Sequence, residues 1–575
     1  MQKLFQIAIE KEKEKTFEKF DKKLTSKLSA AATAKSWSDL LPIMKDMHSF
    51  LQLNKDYDFN MITDKLLLGK RLAQGLNPEC PSGLHEVTLD VYDILLNNII
   101  TKYKDKLMDN LYIYAYGLFP FFPNATLPNK RKFLERIVKS IFTKLNSVEL
   151  KLCLPGLLSS LIPGLDDNNE ETTKLIYGSF DTLIKMDEGR QERNFFGVYW
   201  MLLLRCKHLR ASGIKYLLEK VSKYSDIKSI EDENKQKEIV DKQFPNLNIT
   251  VVNALCEIIK DSEVPNVRNG MDFILTRLPL TKENTMLNDE AKINLINSAL
   301  YLFIKNEYST IRRLKSWLLG IDNVDDEVDF NSEDIKYKMG LVIEAIKLLF
   351  KQDNVITEEI IKNNLIILER FLDSGEEFIN LILPHTADLI IKSVVTYWEE
   401  KLESSEDKED DNIILLMTKF FNKKEIYTES LWKSLADSII NLKDIKAIDE
   451  TISPLKFCLI YIDIKSNDNR IKYYVPIITN LLGVTKRIPL TQVKFKEIKK
   501  IIFIALTYTK SLQQSELYEK ENKDLEENKN KITKDEIQIN MEVDNWVNFS
   551  KTKTLNKAII NELANEIENE DTVFN

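Results

Sequence analysis

Only 15 glycines and 15 prolines punctuate a chain of 575 residues, too little turn material for the many short connections that sheets require. Cysteine is equally sparse. Cys80, Cys153, Cys206, Cys256 and Cys458 are odd in number and scattered, with no CxxC pair and no metal-like spacing to histidine, which argues against a disulfide framework or a zinc site and fits a reduced, cytosolic setting. The four histidines, His48, His85, His208 and His385, form no HExxH or HxE arrangement, so structural roles are expected of them. Excess positive charge is missing too. A formal net charge of −8 gives no electrostatic reason to expect nucleic acid. The longest apolar stretches, "GVYWMLLL" and "LYIYAYGLFPFF", fall short of the ~18 residues of a bilayer span, so any membrane association is expected to be peripheral. The amino terminus, "MQKLFQIAIEKEKEK", lacks the apolar core and cleavage site of a secretory signal.

What remains is 43% hydrophobic and 30% charged, the makings of long amphipathic helices. The segment Leu66 to Ile100 shows the construction. Pro78 and Pro81 end a first helix near Leu76, and Ser82 is placed to cap a second. Leu84, Val87, Val91, Ile94 and Leu95 then share one face, leaving Glu86, Asp90 and Asp93 outward. The unit predicted is an antiparallel helix pair. It recurs at "LFPFFPNATLPN", before Phe133, Ile137, Ile141 and Leu145, and at "LIPGLDDNN", before Leu175, Phe180 and Leu183. The pattern is sharpest where Val252, Leu255, Cys256 and Ile259 precede Val267, Met271, Ile274, Leu275 and Leu278. Between them Asp261, Val267 and Arg268 resemble the inter-helix signature of HEAT repeats, although no strict period is visible. The fold expected is all-α, an elongated HEAT/armadillo-like solenoid of helical pairs. Segment 229–243 reads as a charged loop or exposed helix, 403–412 as an acidic loop, 516–545 as a charged linker or solvated helix, and 546–575 as a last helix.

Candidate chemistry is thin. "LLLGKRL" fails as a phosphate loop because Asp64 stands where its first glycine would be and Arg71 where Ser or Thr would bind magnesium. No catalytic residue, cofactor site or metal site is assigned. The basic, aromatic run "EYSTIRRLKSWLLG" places Leu314 and Trp317 on one helical face with Arg312, Arg313 and Lys315 beside it. It reads either as a core helix with a basic edge or as a contact, centred on Arg312, Arg313, Lys315 and Trp317, for an acidic partner or lipid headgroups. The amino-terminal Phe17, Phe20 and Leu24 lie among lysines, but interspersed glutamates weaken a membrane reading.

Six collinear segments, "SWSDLLPIMKDMHSFLQ", "KLLLGKRLAQGLNPECPSGLHEVTLDVYDIL", "LYIYAYGLFPFF", "LPGLLSSLIPGLDD", "VPNVRNGMDFILTRLPL" and "IRRLKSWLLG", resemble the amino-terminal domain of the Dopey family over about residues 36–320. This divides the chain into 1–35, a charged helix; 36–320, the Dopey-like domain; and 321–515, continuing helical repeats. The resemblance implies a non-enzymatic peripheral scaffold in traffic between endosomes and the late Golgi. It also implies two partners, a large scaffold related to Arf activators and a phospholipid flippase, and contact with phosphoinositide-bearing membranes. Dopey proteins are usually several times longer, with leucine-zipper-like carboxyl-terminal regions not found here, so the chain reads as a truncated piece or a shortened relative. The alternatives are a generic HEAT-repeat cargo or transport adaptor without membrane binding and, further off, a hydrolase with a spatially assembled site.

Overall fold

The computed structural model describes residues 2–462 except 35, 167–169, 187–190, 322–327, 352–356, 374, 405–411 and 441–444, together with a few residues between 472 and 502. The described residues form helices and no strand. The chain divides into two compact units, Met1–Leu302 with Asn306–Val328, and Phe303–Lys305 with Asp329–Asn575. The boundary expected at 320 falls inside the first. The linker and last helix expected at 516–575, and most of the acidic segment at 403–412, lie outside the described residues.

The first unit is built of consecutive pairs: α1 (Gln2–Thr33) and α2 (Trp37–Leu53), α3 (Lys65–Gly75) and α4 (Ser82–Lys102). Next come α5 (Leu107–Tyr114) with the short α6 (Leu118–Phe121) and α7 (Leu127–Lys132), then α8 (Ser147–Leu161) and α9 (Glu170–Lys185). α10 (Gln191–Arg205) and α11 (Arg210–Lys220) follow, and after them the outlying α12 (Tyr224–Lys228) and α13 (Glu233–Gln243). α14 (Val252–Ile259) pairs with α15 (Val264–Arg277), and α16 (Asp289–Leu300) with α18 (Tyr308–Leu319); the single turn α17 (Leu302–Lys305) between them in the chain is counted, apart from Leu302, with the second unit.

Hydrogen bonds between helices reveal how the pairs stack. In one row Arg136, just beyond α7, reaches Asp90 and Asp93 of α4, 46 and 43 positions earlier. Lys220 of α11 reaches Asp181 of α9 across 39 positions, and Arg313 of α18 reaches Asp272 of α15 across 41. In the other row Gly69 of α3 lies under the Ile113 carbonyl of α5 and Ala73 under Gly117, each pair 44 positions apart. Cys256 of α14 contacts the Asn294 carbonyl of α16 across 38. Equal offsets at successive turns mean that neighbours within a row run in the same direction. The first row contains α3, α5, α8, α10, α14 and α16, the second α4, α7, α9, α11, α15 and α18, and the interval of roughly 40 residues is that of stacked helical repeats. Asp261 and Arg268 link the pairs in both directions: Asp261 accepts from Arg210 of the preceding pair at 3.3 Å, and Arg268 donates to Glu307 of the next at 2.7 Å.

Most of the expected core faces are buried, including Leu84, Val91 and Leu95, the whole set Phe133, Ile137, Ile141 and Leu145, and the α14 and α15 set apart from Leu275. Three expectations need correction. Ser82 does not cap α4; Pro81 holds the cap position with extended backbone, and the Ser82 hydroxyl instead meets Thr126 at 2.9 Å and Asn129 at 3.0 Å on the next pair. Asp90 and Asp93 do not simply face water, because Lys132 and Arg136 cross from the next pair to meet them. Two stretches, Ser147–Asp166 and Glu377–Tyr397, are long and apolar enough to cross a membrane once their small polar residues are admitted, yet they are 50% and 61% buried against other helices, as core helices are. The charged segment from Ser229 becomes α13, a helix with no buried residue, tied down where the Gln243 carbonyl accepts from the Trp200 indole at 3.1 Å.

The second unit repeats the alternating logic with α19 (Glu333–Phe350), α20 (Glu358–Leu372), α21 (Glu376–Ser404), α22 (Asn412–Asn422), α23 (Glu425–Ile440) and α24 (Ile445–Tyr461). Ser393 of α21 donates to the Phe350 carbonyl 43 positions earlier. Lys423, just beyond α22, bridges Glu369 of α20 and Asp373 at that helix's C-cap, at 2.7 and 2.9 Å.

Candidate interaction surface

Helix α18 carries the four residues singled out in the sequence and parts them into two groups. Its start is fixed by Glu307, whose carboxylate accepts from Ser309 Oγ at 2.7 Å, the Thr310 amide at 2.8 Å and Arg268 at 2.7 Å. These bonds, led by those from Ser309 and Arg268, hold the carboxyl down to about 2. Its end is set by Gly320 in the left-handed region, φ 73°, a conformation glycine adopts without strain. Between them Thr310, Leu314, Trp317 and Leu318 face inward.

Trp317 belongs to that core. It is 2% exposed, and its indole N–H donates to the Leu278 carbonyl at 2.9 Å, which closes the end of α15. A surface role for it is therefore replaced by a packing role. Arg313 forks onto Asp272, Nε to Oδ1 at 2.6 Å and Nη2 to Oδ2 at 3.4 Å, and so is half-neutralised within the row. Arg312 is exposed and Lys315 half-exposed, and neither makes an ion pair among the described residues. The surface element left on α18 is this two-residue basic edge.

A second surface, which was not anticipated, lies on the other row. Leu66 of α3, Tyr112 of α5, Tyr116 just beyond it, and Val148 and Leu152 of α8 are 71%, 67%, 85%, 71% and 57% exposed. Gly69 and Gly117 bring α3 and the α5 segment close, and Gly156 brings α8 against Phe119 of α6. A Cβ on Gly69 would lie 2.9 Å from the Ile113 carbonyl oxygen, one on Gly117 2.4 Å from the Ala73 Cα, and one on Gly156 2.5 Å from the Phe119 ring. In sequence this region reads only as an apolar run. The usable signal was the tyrosine pair at i and i+4, which marks one helical stripe without telling whether a neighbour covers it.

Of the other side chains that carry chemistry, His85, Cys153 and Cys458 are built into the structure, while His208 and His385 are exposed. His85 is buried, its Nε2 2.8 Å from the Asn77 carbonyl, and so closes the corner between α3 and α4. Burial pushes the Cys153 thiol up to about 11 and Cys458 well above its usual value, which leaves both poor nucleophiles. Among the described residues no group of three or more His, Cys, Asp or Glu could hold a metal ion. The geometry offers surfaces for binding.

Residues 14–323 match the model of the family described as Dopey, N-terminal. Protein pad-1 of Caenorhabditis briggsae is 28% identical over 360 residues, which is 60% of this chain and 14% of that protein. The DOP1 homolog of Drosophila melanogaster is 28% identical over 290 residues, 49% of this chain and 10% of that one. DOP1B of Mus musculus is 27% identical over 347 residues, 56% and 14% respectively. The match thus spans about a seventh or less of the length of these three relatives.

Proposed function

Since the chain belongs to the Dopey family, its residues 14–323 matching the amino-terminal domain, we propose that it is a non-enzymatic scaffold that sits peripherally on late Golgi and endosomal membranes and serves traffic between them. Its partners in this reading are a large scaffold related to Arf activators and a phospholipid flippase. The family match carries the proposal. Stacked helical pairs supply what a scaffold needs, a long succession of helix faces and corners for simultaneous contacts.

Membrane contact is assigned to the edge of α18. Arg312 and Lys315 are the outward cations there, while Arg313 is engaged by Asp272 and Trp317 is core. Each basic residue close to an anionic leaflet contributes about 1 kcal/mol, so two of them strengthen partitioning by more than about tenfold. Flotation with phosphoinositide-containing liposomes tests this. Arg312→Glu/Lys315→Glu, with an unchanged melting temperature, is expected to leave the liposomes, and wild-type binding is expected to weaken as salt rises. Equal flotation of the folded variant would refute the assignment. Purification from cell extract with identification of co-purifying membrane proteins tests the partners, and recovery of neither the scaffold nor the flippase would count against them.

A further inference from the structure

Helix α18 contains no acidic residue, and one line of it faces straight away from the core. Tyr308, Arg312, Lys315 and Leu319 stand at i, i+4, i+7 and i+11, which at about 100° per residue keeps them within a sector of about 60°. Tyr308 lies half a turn round from the buried Trp317. It is 76% exposed and makes no hydrogen bond or ring contact among the described residues. Arg312 is exposed, and Lys315 and Leu319 are half-exposed. The two carboxylates seen to touch α18 are already held, Glu307 by the Thr310 amide and Arg268, Asp272 by Arg313. The outward line thus reads phenol, guanidinium, ammonium and aliphatic chain, with apolar groups at both ends and two cations between.

We propose that α18 enters an anionic lipid surface along this line, with the Tyr308 ring at the boundary between headgroups and acyl chains. Resting on the membrane reading of this edge, the anchor adds to Arg312 and Lys315 a hold that is apolar. Tyrosine suits that depth because its ring is apolar while its hydroxyl stays in contact with water and headgroups. One exposed ring by itself would be ordinary. What sets Tyr308 apart is its register, one turn from Arg312 and two from Lys315, which brings ring and cations to a flat surface together. From Tyr308 to Leu319 the line runs about 16 Å, so a helix lying in the plane of the surface seats all four side chains at once. Salt screens the two cations, whereas burial of the ring is not screened. An acidic protein segment fits less well, since it would satisfy the cations and leave Tyr308 and Leu319 in water.

The test uses the whole chain with Cys80→Ser and Cys206→Ser, which removes the two half-exposed thiols. An environment-sensitive nitrobenzoxadiazole dye is placed on Tyr308→Cys or, as a control, on Gly83→Cys of α4, where a Cβ meets nothing within 4 Å. Phosphoinositide-containing liposomes are expected to shift the Tyr308 dye to the blue and raise its emission, with quenching by a nitroxide near the head of the acyl chain, and to leave the Gly83 dye unchanged. Without labels, Tyr308→Ser is expected to weaken partitioning at least about threefold. Tyr308→Trp is expected to retain or strengthen it, both at unchanged melting temperature. Flotation of Arg312→Glu/Lys315→Glu tests the underlying membrane reading separately. A silent Tyr308 dye, or a Tyr308→Ser variant that partitions as wild type does, overturns the anchor and leaves that reading standing wherever flotation still needs Arg312 and Lys315. Absence of any wild-type flotation overturns both. A dye unmoved by liposomes but shifted by a polyglutamate peptide makes the edge a protein contact and overturns the proposal as well.

Discussion

Arg313 grips Asp272 with two nitrogens, Nε at 2.6 Å from Oδ1 and Nη2 at 3.4 Å from Oδ2, across the contact between two parallel helices. The side chains remain 31% and 40% exposed, so water and salt screen the pair, and its coupling is expected to be about 0.5–1 kcal/mol. A double-mutant cycle of Arg313→Ala and Asp272→Ala, followed by urea denaturation, measures it. Strictly additive effects would mean that the fork orients α18 without stabilising it.

Trp317→Phe removes the donor to the buried Leu278 carbonyl while keeping an aromatic ring. An orphaned carbonyl costs about 1–3 kcal/mol, so a clear fall in the denaturation midpoint is expected. A change below about 0.5 kcal/mol would show that the indole hydrogen bond, 2.9 Å long here, adds nothing that water cannot replace.

Glycines separate into two kinds. A Cβ on Gly117 would press 2.4 Å from backbone Cα of Ala73, whereas one on Gly83 meets nothing within 4 Å. Gly117→Ala is therefore expected to destabilise by about 1–3 kcal/mol. Gly83→Ala, inside α4, is expected to stabilise by about 0.4–1 kcal/mol. Thermal melts of the two variants should move in opposite directions, and movement in the same direction would contradict the helix spacing.

Glu307 titrates at about 2 instead of the ordinary 4.5. Because the folded value is the lower one, the stabilisation it brings is complete above about 4.5 and disappears as pH falls toward about 2. Glu307→Gln is thus expected to melt below wild type at pH 6, and the gap to narrow steadily below about pH 4.5 and to close only as pH falls below about 2. A gap that stays constant over this range would assign the effect to lost packing.

Much of the helical construction is legible in the sequence, since Leu84, Val91 and Leu95 recur at helical spacing and Pro78 and Pro81 mark a corner. Trp317 shares such spacing with Leu314, yet the sequence also places it in a surface contact, and only its 2% exposure assigns it to the core. Partners were not legible. Asp93 has an outward spacing, and the residue that covers it, Arg136, lies 43 positions later on a helix whose placement local periodicity does not encode. The bridge recurs as an aspartate met by a basic residue of a later helix, Asp93 with Arg136, Asp181 with Lys220, Asp272 with Arg313, but the partners lie 39 to 43 positions apart, a spacing too loose to stand out as a sequence period. Tyr112 and Tyr116 were hidden because apolar residues on a helix look alike whether or not a neighbour covers them.

The excursion through α12 and α13 has a consequence for how such a chain can change. It lengthens the interval between successive pairs, so that Arg210 meets Asp261 across 51 positions and Arg277 meets the Leu218 carbonyl across 59, yet the bridges on either side of it form as they do elsewhere. Residues added at a corner loop outward and leave the stacking in register. A single residue added within a helix would instead turn everything after it by about 100°, carrying Asp272 away from Arg313. Growth and loss of sequence should therefore be tolerated at the turns by tens of residues and inside the helices hardly at all.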